Sequence, residues 1–334
     1  MAVTLKDISK LSGVATSTVS YILSGKGDEM KISTATQAKV REIARLHHYR
    51  ANRLAKSLRR RTTRTIGVVM NDLSSSWANE IMAGVNDILL PAGYQPLLGI
   101  TMFGREREEK LINAFLELQV EGLLVQPVAA SGDFYRRLPT IAETPVVFIG
   151  DAIEGVKVKS FMLDPVQAGR DQIDLLYRRG HRRIACVTTD YESMQSRGRR
   201  EGALARIAEL GLSMPPEYLC ATRTMSSEAD RGIAQRLLAL PEPPTAVAVF
   251  CDMIAFQILG AFRDAGRNDI AVIGCGDLPE SGSELISLST VYEPREEIGR
   301  RAAACLLECF SKETRLNPEP VLLRGEVRER RSTN

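Results

Sequence analysis

The sequence of 334 residues is poor in the side chains that build metal and redox centres. It has three histidines, one tryptophan and six cysteines, and no two of the cysteines form a CxxC pair. Closely spaced cysteine and histidine residues are the usual signature of a zinc site, and no such cluster is present. The cysteines are most simply buried thiols of a reduced protein. We therefore expect no metal and no cofactor.

Long apolar runs and catalytic motifs are also missing. No apolar run approaches the roughly 18 residues that a membrane span needs, and no signal peptide precedes the first polar helix. There is no GxSxG motif and no Walker A segment, and Gly274-Cys275-Gly276 lacks the third glycine of a dinucleotide fingerprint. The sequence therefore predicts a cytoplasmic protein that is not an enzyme.

Charge is divided unevenly along the chain. Residues 1–64 hold 14 lysines and arginines against 4 aspartates and glutamates, a net charge of +10. Residues 65–334 hold 30 basic against 37 acidic residues, a net charge of −7. A run of charge is usually a solvated surface, but an excess of this size over one short segment is typical of nucleic-acid binding.

The stretch from Asp7 to Leu23 has the pattern of two short helices around a turn at Ser12-Gly13-Val14. Small and hydroxyl side chains open the second helix. This pattern is typical of a helix-turn-helix, in which the start of the second helix enters the DNA major groove. Two ordinary amphipathic helices are the alternative. The apolar residues expected inside are Ile8, Leu11, Val19, Ile22 and Leu23.

Two further segments follow this helix pair. Ser33 is placed to cap a third helix, so residues 1–50 are expected to form a small helical DNA-binding domain with Val40, Ile43, Ala44 and Leu46 turned inward. Residues 51–64 are basic and weakly apolar. Such a hinge and linker is marginal as a lone helix, and we expect it to order when DNA neutralises its charge.

Beyond Thr65 short apolar strands alternate with helical stretches, and the series restarts with a strand over Ile184–Thr188 and a helix over Arg199–Leu210. Repeated strand–helix units predict an α/β fold with parallel, doubly wound sheets. Two such series predict two lobes with a cleft between them in residues 65–334. Ligands of open α/β sheets lie at the carboxyl ends of the strands, where this sequence has several polar residues.

Several motifs occur together and in order: TLKDISKLSGVATSTVSYIL, NRLAKSL, GHRRIA, VIGCGD, LSTVYEPREEIGRRAA and a terminal RERRST. With these motifs in this order, the chain resembles the lactose-repressor/purine-repressor (LacI/GalR) family of transcription regulators over essentially its whole length. The LSGKG and ISTAT pieces resemble the maltose-regulon repressor subgroup. The resemblance implies a three-helix helix-turn-helix domain, a hinge helix and a two-lobed, periplasmic-binding-protein-like core that binds an effector and dimerises.

The resemblance also assigns residues to DNA. Thr16, Ser17 and Tyr21 would read base edges, and the Leu58 of each subunit would insert at a central base step and kink the duplex. Ala15 stands where the family usually has a serine, and the turn at 26–31 is three residues longer than in the lactose repressor. The residues assigned to DNA are Thr4, Thr16, Ser17, Tyr21, Ser33, Asn52, Arg53, Lys56 and Leu58.

A second set of residues is assigned to the effector. Arg199 would anchor a hydroxyl or anionic ligand, and Trp77 would stack on the apolar face of a sugar. Gly150 and Gly276 occupy positions where the family commonly has an acid, with Asp151 and Asp277 one residue later. The residues assigned to the effector are Asn71, Asp72, Trp77, Gln126, Asp151, Gln195, Arg199, Asp252 and Asp277.

The function implied is that of a homodimeric repressor on near-palindromic, double-stranded operator DNA, controlled by a small-molecule effector, a sugar or sugar derivative. The tail after Glu326 has no leucine heptads, which predicts a dimer without a tetramerising extension. A two-lobed solute-binding protein is the alternative, but it would have a signal peptide and no basic N-terminal segment. The sequence leaves open whether the effector releases the operator or promotes binding.

Overall fold

The computed structural model describes residues 3–49, 62–73, 76–138, 143–222, 227–311 and 317–334. The chain divides into two compact units, Met1–Thr63 and Arg64–Asn334. Across the described ranges, no helix has both the length and the apolar character needed to cross a membrane.

Within residues 3–49 the first unit has three helices: α1 (Leu5–Ser12), α2 (Thr16–Leu23) and α3 (Thr34–Leu46). The turn between α1 and α2 is closed by Gly13, whose φ of 67° is left-handed and suits glycine. The helices share one small apolar core. Its buried members are Ile8, Val19, Ile22, Val40 and Ala44.

Two apolar residues expected in this core lie outside it. Leu11 is 51% exposed and Leu46 is 60% exposed. In α1 the buried positions are Ile8 and Ser12, one helical turn apart, so Leu11 falls beside the packed stripe. Leu46 is the last residue of α3, beyond the turn that contains buried Ala44.

The described part of the second unit contains twelve strands and eight helices. The strands are β1 (Thr65–Met70), β2 (Gln95–Ile100), β3 (Gly122–Val125), β4 (Val146–Ile149), β5 (Lys159–Leu163), β6 (Ile184–Thr189), β7 (Leu219–Thr222), β8 (Ala246–Val249), β9 (Ala271–Gly276), β10 (Ser289–Tyr292), β11 (Val321–Leu323) and β12 (Glu326–Arg328). The helices are α4 (Ser76–Leu89), α5 (Arg105–Glu117), α6 (Gly132–Arg137), α7 (Pro165–Arg178), α8 (Met194–Glu209), α9 (Ser227–Leu238), α10 (Asp252–Asp264) and α11 (Arg295–Ser311).

These strands form two six-stranded sheets within the described residues. The first has the order β11-β5-β4-β3-β1-β2 and defines lobe 1; the second has the order β12-β10-β9-β8-β6-β7 and defines lobe 2. The pairing of β10 with β12 is antiparallel, and the other strand pairs described are parallel. The predicted α/β architecture with parallel sheets is confirmed.

Apolar clusters line both faces of each sheet, as buried parallel sheets require. Helices α4 and α11 cover one face of lobe 1 and α5 the other; in lobe 2, α7 and α8 cover one face and α9 and α10 the other. In the described ranges the chain passes between the lobes three times, after β5, after β10 and after β11. The segments that cross therefore lie next to both sheets.

Several elements differ from the sequence-based expectations. Strands β5, β10, β11 and β12 were not predicted, and β11 and β12 have only three residues each, too few to show a period. Helix α8 was expected from Arg199 but begins at Met194, because Ser193 and Ser196 form a capping box there. The earlier start places Gln195 and Arg199 one turn apart on the same helix.

Candidate nucleic-acid interface and interlobe cleft

The first turns of α2 present the side chains expected to read DNA. Thr16, Ser17 and Tyr21 are exposed, while Val19 and Ile22 on the opposite side are buried in the core. Ser17 and Tyr21 are four residues apart and share a face. The Thr16 hydroxyl donates to Ser9 Oγ at 3.1 Å, which ties the start of α2 to α1. The N-cap of α2 is Ala15, which supplies no side-chain acceptor.

Thr4 and Ser33, predicted to contact phosphates, are the N-caps of α1 and α3. The Thr4 hydroxyl donates to Asp7 Oδ2 at 2.7 Å in a capping box, and these hydrogen bonds lower the pKa of Asp7. Ser33 Oγ accepts from the Thr36 N–H at 3.2 Å. Each hydroxyl therefore stabilises a helix start, which is also where backbone N–H groups face outward.

A buried glutamine holds the long turn between α2 and α3. Gln37 is 3% exposed, and its amide donates to Asp28 Oδ1 at 2.8 Å and to the Ile32 carbonyl at 2.9 Å. Its Oε1 accepts from Arg41 at 2.9 Å. Sequence reasoning missed this residue. The available signal was its spacing, because Gln37 lies on the helical stripe of Val40 and Ala44.

Four residues predicted to contact DNA lie outside the described residues. They are Asn52, Arg53, Lys56 and Leu58.

At the carboxyl ends of β1 and β3, two predicted effector residues meet. Gln126 Oε1 accepts from the Asn71 N–H at 2.9 Å, and Asn71 Oδ1 accepts from the Thr101 hydroxyl at 2.7 Å. Asp72, the next residue, is half-buried. The strand ends of lobe 1 are thus joined by polar side chains, as the sheet topology led us to expect.

Helix α8 carries two more of these residues from lobe 2. Arg199 donates from Nη2 to Gln195 Oε1 at 2.8 Å and from Nη1 to the Phe250 carbonyl at 2.6 Å. Its guanidinium also lies 4.4 Å from the Phe250 ring centroid. The Nε–H of this cation is buried without an acceptor among the described residues.

Asp151 joins the end of β4 to the start of α8. Its Oδ1 accepts from the Ala152 N–H at 2.8 Å and from the Gln195 N–H at 3.3 Å. The residue is 8% exposed, and burial raises the pKa of its carboxyl to about 6, while hydrogen bonds from Ser193 and from these backbone groups act in the opposite direction. Asp151 therefore links the two lobes through a carboxylate that is costly to ionise.

Gly150 provides the space that Trp77 occupies. Gly150 has a φ of 74°, and a Cβ at this position would lie 2.4 Å from Trp77 Cζ2. The Trp77 indole also donates from Nε1 to Glu293 Oε2 at 2.8 Å. Glu293 is 5% exposed and lies in the segment that crosses from β10 to α11. Sequence reasoning missed Glu293.

In the same way, the missing side chain of Gly276 leaves space for the Arg295 guanidinium. A Cβ on Gly276, whose φ is 134°, would lie 2.8 Å from Arg295 Nη2, and that nitrogen donates to the Gly276 carbonyl. Arg295 is 1% exposed and also contacts Glu80 Oε1 at 3.0 Å and Glu293 Oε2 at 3.4 Å. The two glycines, at positions where acids were expected, thus leave space for Trp77 and Arg295. Both of these side chains contact the Glu293 carboxylate.

Asp252 and Asp277, two residues predicted to contact the effector, have side-chain partners within the protein. Asp252 is 1% exposed and accepts from Leu278 N–H at 2.9 Å, Ser281 at 2.7 Å and Thr290 at 2.6 Å. Burial raises the pKa of its carboxyl.

Asp277 pairs with Arg330 at 2.6 Å and with Arg328, which attaches it to the C-terminal segment. The carboxyl groups of Asp252 and Asp277 therefore have partners within the protein.

The lobes also meet at Tyr191, which follows β6. Its phenol oxygen accepts from the Ala129 N–H at 3.0 Å, and burial raises the pKa of Tyr191 to about 12. Arg197 and Glu154 form an ion pair at 2.9 Å nearby. An open groove of about 270 Å³ lies here, with Ala129, Arg136, Ile153 and Arg197 among its lining residues. Among the described residues no cluster of three metal-ligating side chains occurs.

Models of known protein families match one segment in each of the two units. The family described as "Bacterial regulatory proteins, lacI family" matches residues 4–52, and the family described as "Periplasmic binding protein-like domain" matches residues 173–333.

Similar curated proteins include two repressors of Escherichia coli (strain K12). The HTH-type transcriptional repressor CytR is 29% identical over 98% of this chain and 97% of its own. The Ribose operon repressor is 28% identical over 96% of this chain and 98% of its own.

Solved structures share the fold over the full length. A lac repressor dimer bound to operator and the anti-inducer ONPF matches with a TM-score of 0.88 at 22% identity, over 100% of this chain and 99% of that chain. The complex of the transcriptional regulator CelR with cellobiose matches with a TM-score of 0.71 at 23% identity, over 99% of both chains. The chain thus joins a helix-turn-helix domain of the lacI family of bacterial regulatory proteins to a periplasmic-binding-protein-like domain.

Proposed function

We propose that this chain is a sequence-specific DNA-binding transcriptional repressor whose affinity for operator DNA depends on a small molecule bound between the lobes. The observation that carries the proposal is the exposed start of α2. Thr16, Ser17 and Tyr21 face outward from a helix whose other side is buried, within a segment of net charge +10. Hydroxyl and phenol groups in this position can read base edges in the major groove.

The proposal divides the chain by function. Residues 1–50 bind the major groove, residues 51–64 form the hinge, and residues 65–334 bind the effector and dimerise. Thr4, Ser33 and Asn52 contact phosphates. Arg53 and Lys56 bind in the flanking minor groove and to its phosphates. Leu58 from each subunit inserts at the central base step and kinks the DNA there. A near-palindromic operator follows from the two-fold symmetry of the dimer.

The proposed effector is a sugar or sugar derivative, held at the carboxyl ends of the strands. Arg199 and Gln195 would anchor it from lobe 2, and Asn71, Asp72, Gln126 and Asp151 would contact it from lobe 1. Trp77 contributes an aromatic face. Among the similar proteins, one is named for the ribose operon and another was solved with cellobiose, which supports this class of ligand. The DNA partner and reduced cysteines support a cytoplasmic location.

Selection of genomic fragments tests the proposal. Fragments of the source genome are incubated with the full-length protein, and the bound fragments are sequenced. We expect a near-palindromic motif, and Ser17→Ala, which removes an exposed hydroxyl, to alter base preference within each half-site. Enrichment without any shared motif would contradict sequence-specific binding. Sedimentation of the free protein is expected to give a dimer; a stable tetramer in dilute solution would contradict the assembly proposed.

A further inference from the structure

The carboxylates around the interlobe cleft already have partners inside the protein. Asp252 accepts three hydrogen bonds, Asp277 pairs with two arginines, and Asp151 accepts from backbone N–H groups on both sides of the cleft. Glu293 accepts from Trp77 and contacts Arg295. These four residues are all buried or nearly so. A ligand hydroxyl that used one of them as acceptor would share a buried carboxylate with hydrogen-bond donors that the protein already supplies.

The glycine positions remove two further acceptors. Gly150 follows β4 and Gly276 is the last residue of β9, two positions where the family resemblance led us to expect acids. In this chain the space beside Gly150 holds the Trp77 ring, and the space beside Gly276 holds the Arg295 guanidinium. The Trp77 N–H and the Arg295 guanidinium are in turn satisfied by Glu293, Glu80 and a carbonyl. This end of the cleft is therefore filled by groups that satisfy one another.

The Arg199 guanidinium differs from these groups. Its two acceptors, the Phe250 carbonyl and Gln195 Oε1, are both uncharged. Its Nε–H is buried without a partner in the described residues. A buried donor without an acceptor is costly, and the cost falls when a ligand supplies one. Hydrogen bonds from a guanidinium to an oxyanion are also about twice as strong as neutral ones.

We propose that the effector of this protein is an organic anion, whose carboxylate or phosphate oxygens accept from Arg199, rather than a neutral polyol. The inference rests on the proposed function, because it names the ligand class of the same cleft. Neutral sugars bind through many hydroxyl donors, and here the carboxylates that would receive those donors are already engaged. An oxyanion needs donors, and Arg199 offers one.

Ligand pairs that differ only in charge test the inference. Glucose, glucuronate and glucose 6-phosphate are titrated into the full-length protein without DNA, at constant ionic strength, with inorganic phosphate as a minimal probe. Saturation-transfer NMR detects the weak binding, and Trp77 emission gives a second readout. We expect at least one of the two sugar anions to bind about tenfold more tightly than glucose. Tighter binding of glucuronate would indicate a carboxylate ligand, and tighter binding of glucose 6-phosphate would indicate a phosphate ligand.

Two variants on α8 assign the preference to one side chain. Arg199→Gln removes the guanidinium, and Arg200→Gln, whose native side chain pairs with Glu192 at 3.3 Å, is the matched control. We expect the preference for the anion to be lost in the first and kept in the second. If Arg199→Gln unfolds at a lower temperature and cannot be titrated, the comparison of glucose with its anions in the unaltered protein still tests whether the protein prefers an anion.

Three results would overturn the inference. Glucose binding as tightly as both anions would do so, as would an anion preference that survives Arg199→Gln in the folded protein. Failure of every anion, phosphate included, to bind at about 50 mM would also overturn it, since a free guanidinium donor should bind oxyanions at least weakly. None of these titrations contains DNA, so their outcome does not bear on operator binding. Operator binding is tested separately by the selection of genomic fragments.

Discussion

The Trp77 indole donates from Nε1 to Oε2 of Glu293 at 2.8 Å, although 216 positions separate the two residues. Trp77 belongs to α4 of lobe 1, and Glu293 to the segment that crosses from lobe 2. Arg295 contacts the same carboxylate oxygen at 3.4 Å. One buried carboxylate thus links the first helix of lobe 1, the second crossing and, through Arg295, the end of β9.

Removal of the indole N–H should destabilise the protein. Trp77→Phe keeps an aromatic ring but removes the shorter of two hydrogen bonds to the buried Glu293 carboxylate, so we expect the free energy of unfolding to fall by about 1–3 kcal/mol. Urea unfolding followed by circular dichroism measures it. The same substitution in a Glu293→Gln background should cost less, because the acceptor is no longer charged. Equal costs in both backgrounds would mean that the two side chains are not coupled.

Gly150→Ala should be more harmful than a similar change elsewhere. Gly150 and Gly211 both have left-handed φ, 74° and 66°, but a Cβ on Gly211 has nothing within 4 Å, whereas one on Gly150 meets the Trp77 ring. Gly211→Ala therefore measures the backbone cost alone, about 1 kcal/mol. We expect Gly150→Ala to cost about 1–3 kcal/mol more, because a packed ring has to move. The emission of Trp77, the only tryptophan, should shift in this variant alone.

Asp151 should make stability depend on pH. Its pKa is raised to about 6 in the folded protein from an ordinary value of 3.8, so its contribution is fully present below pH 3.8 and is lost as the pH rises through 6. Between about pH 5 and about pH 7.5 the native protein should lose about 1.4 kcal/mol relative to Asp151→Asn.

Thermal or urea unfolding at a series of pH values measures this difference. Asp133→Asn is the control, since Arg136 lowers the pKa of the exposed Asp133 carboxyl and its titration lies below this range. Parallel profiles for native protein and Asp151→Asn would contradict the prediction.

Operator affinity should fall steeply with salt. A segment of net charge +10 that neutralises several phosphates releases their counterions, so we expect at least about a hundredfold loss between roughly 50 and 200 mM salt. Fluorescence anisotropy of a labelled operator measures the slope. Ser17→Ala should weaken binding without changing that slope, because the hydroxyl carries no charge. A flat titration would argue against DNA contact through this segment.

Local sequence patterns predicted the architecture correctly. The helix pair around Gly13, the alternating strands and helices, and the two series that became two lobes all follow from spacing and turn residues that lie close together in the chain. The same reasoning missed β5 and β10–β12, of which β11 and β12 have only three residues each. It also placed Leu11 and Leu46 in the core, because helical spacing does not reveal how wide a stripe the neighbouring helices cover.

The sequence by itself determined where charge, apolar faces and strand ends lie, because each depends on neighbours a few residues away. Only the tertiary structure decided which polar groups meet. Asp252 and Asp277 follow strands as a ligand-binding acid would, yet their oxygens have partners within the chain. Gly150 and Gly276 looked like missing acids, and the fold filled their places with Trp77 and Arg295. Such contacts join residues 19 or more positions apart in the chain and depend on fractions of an ångström, which no local pattern encodes.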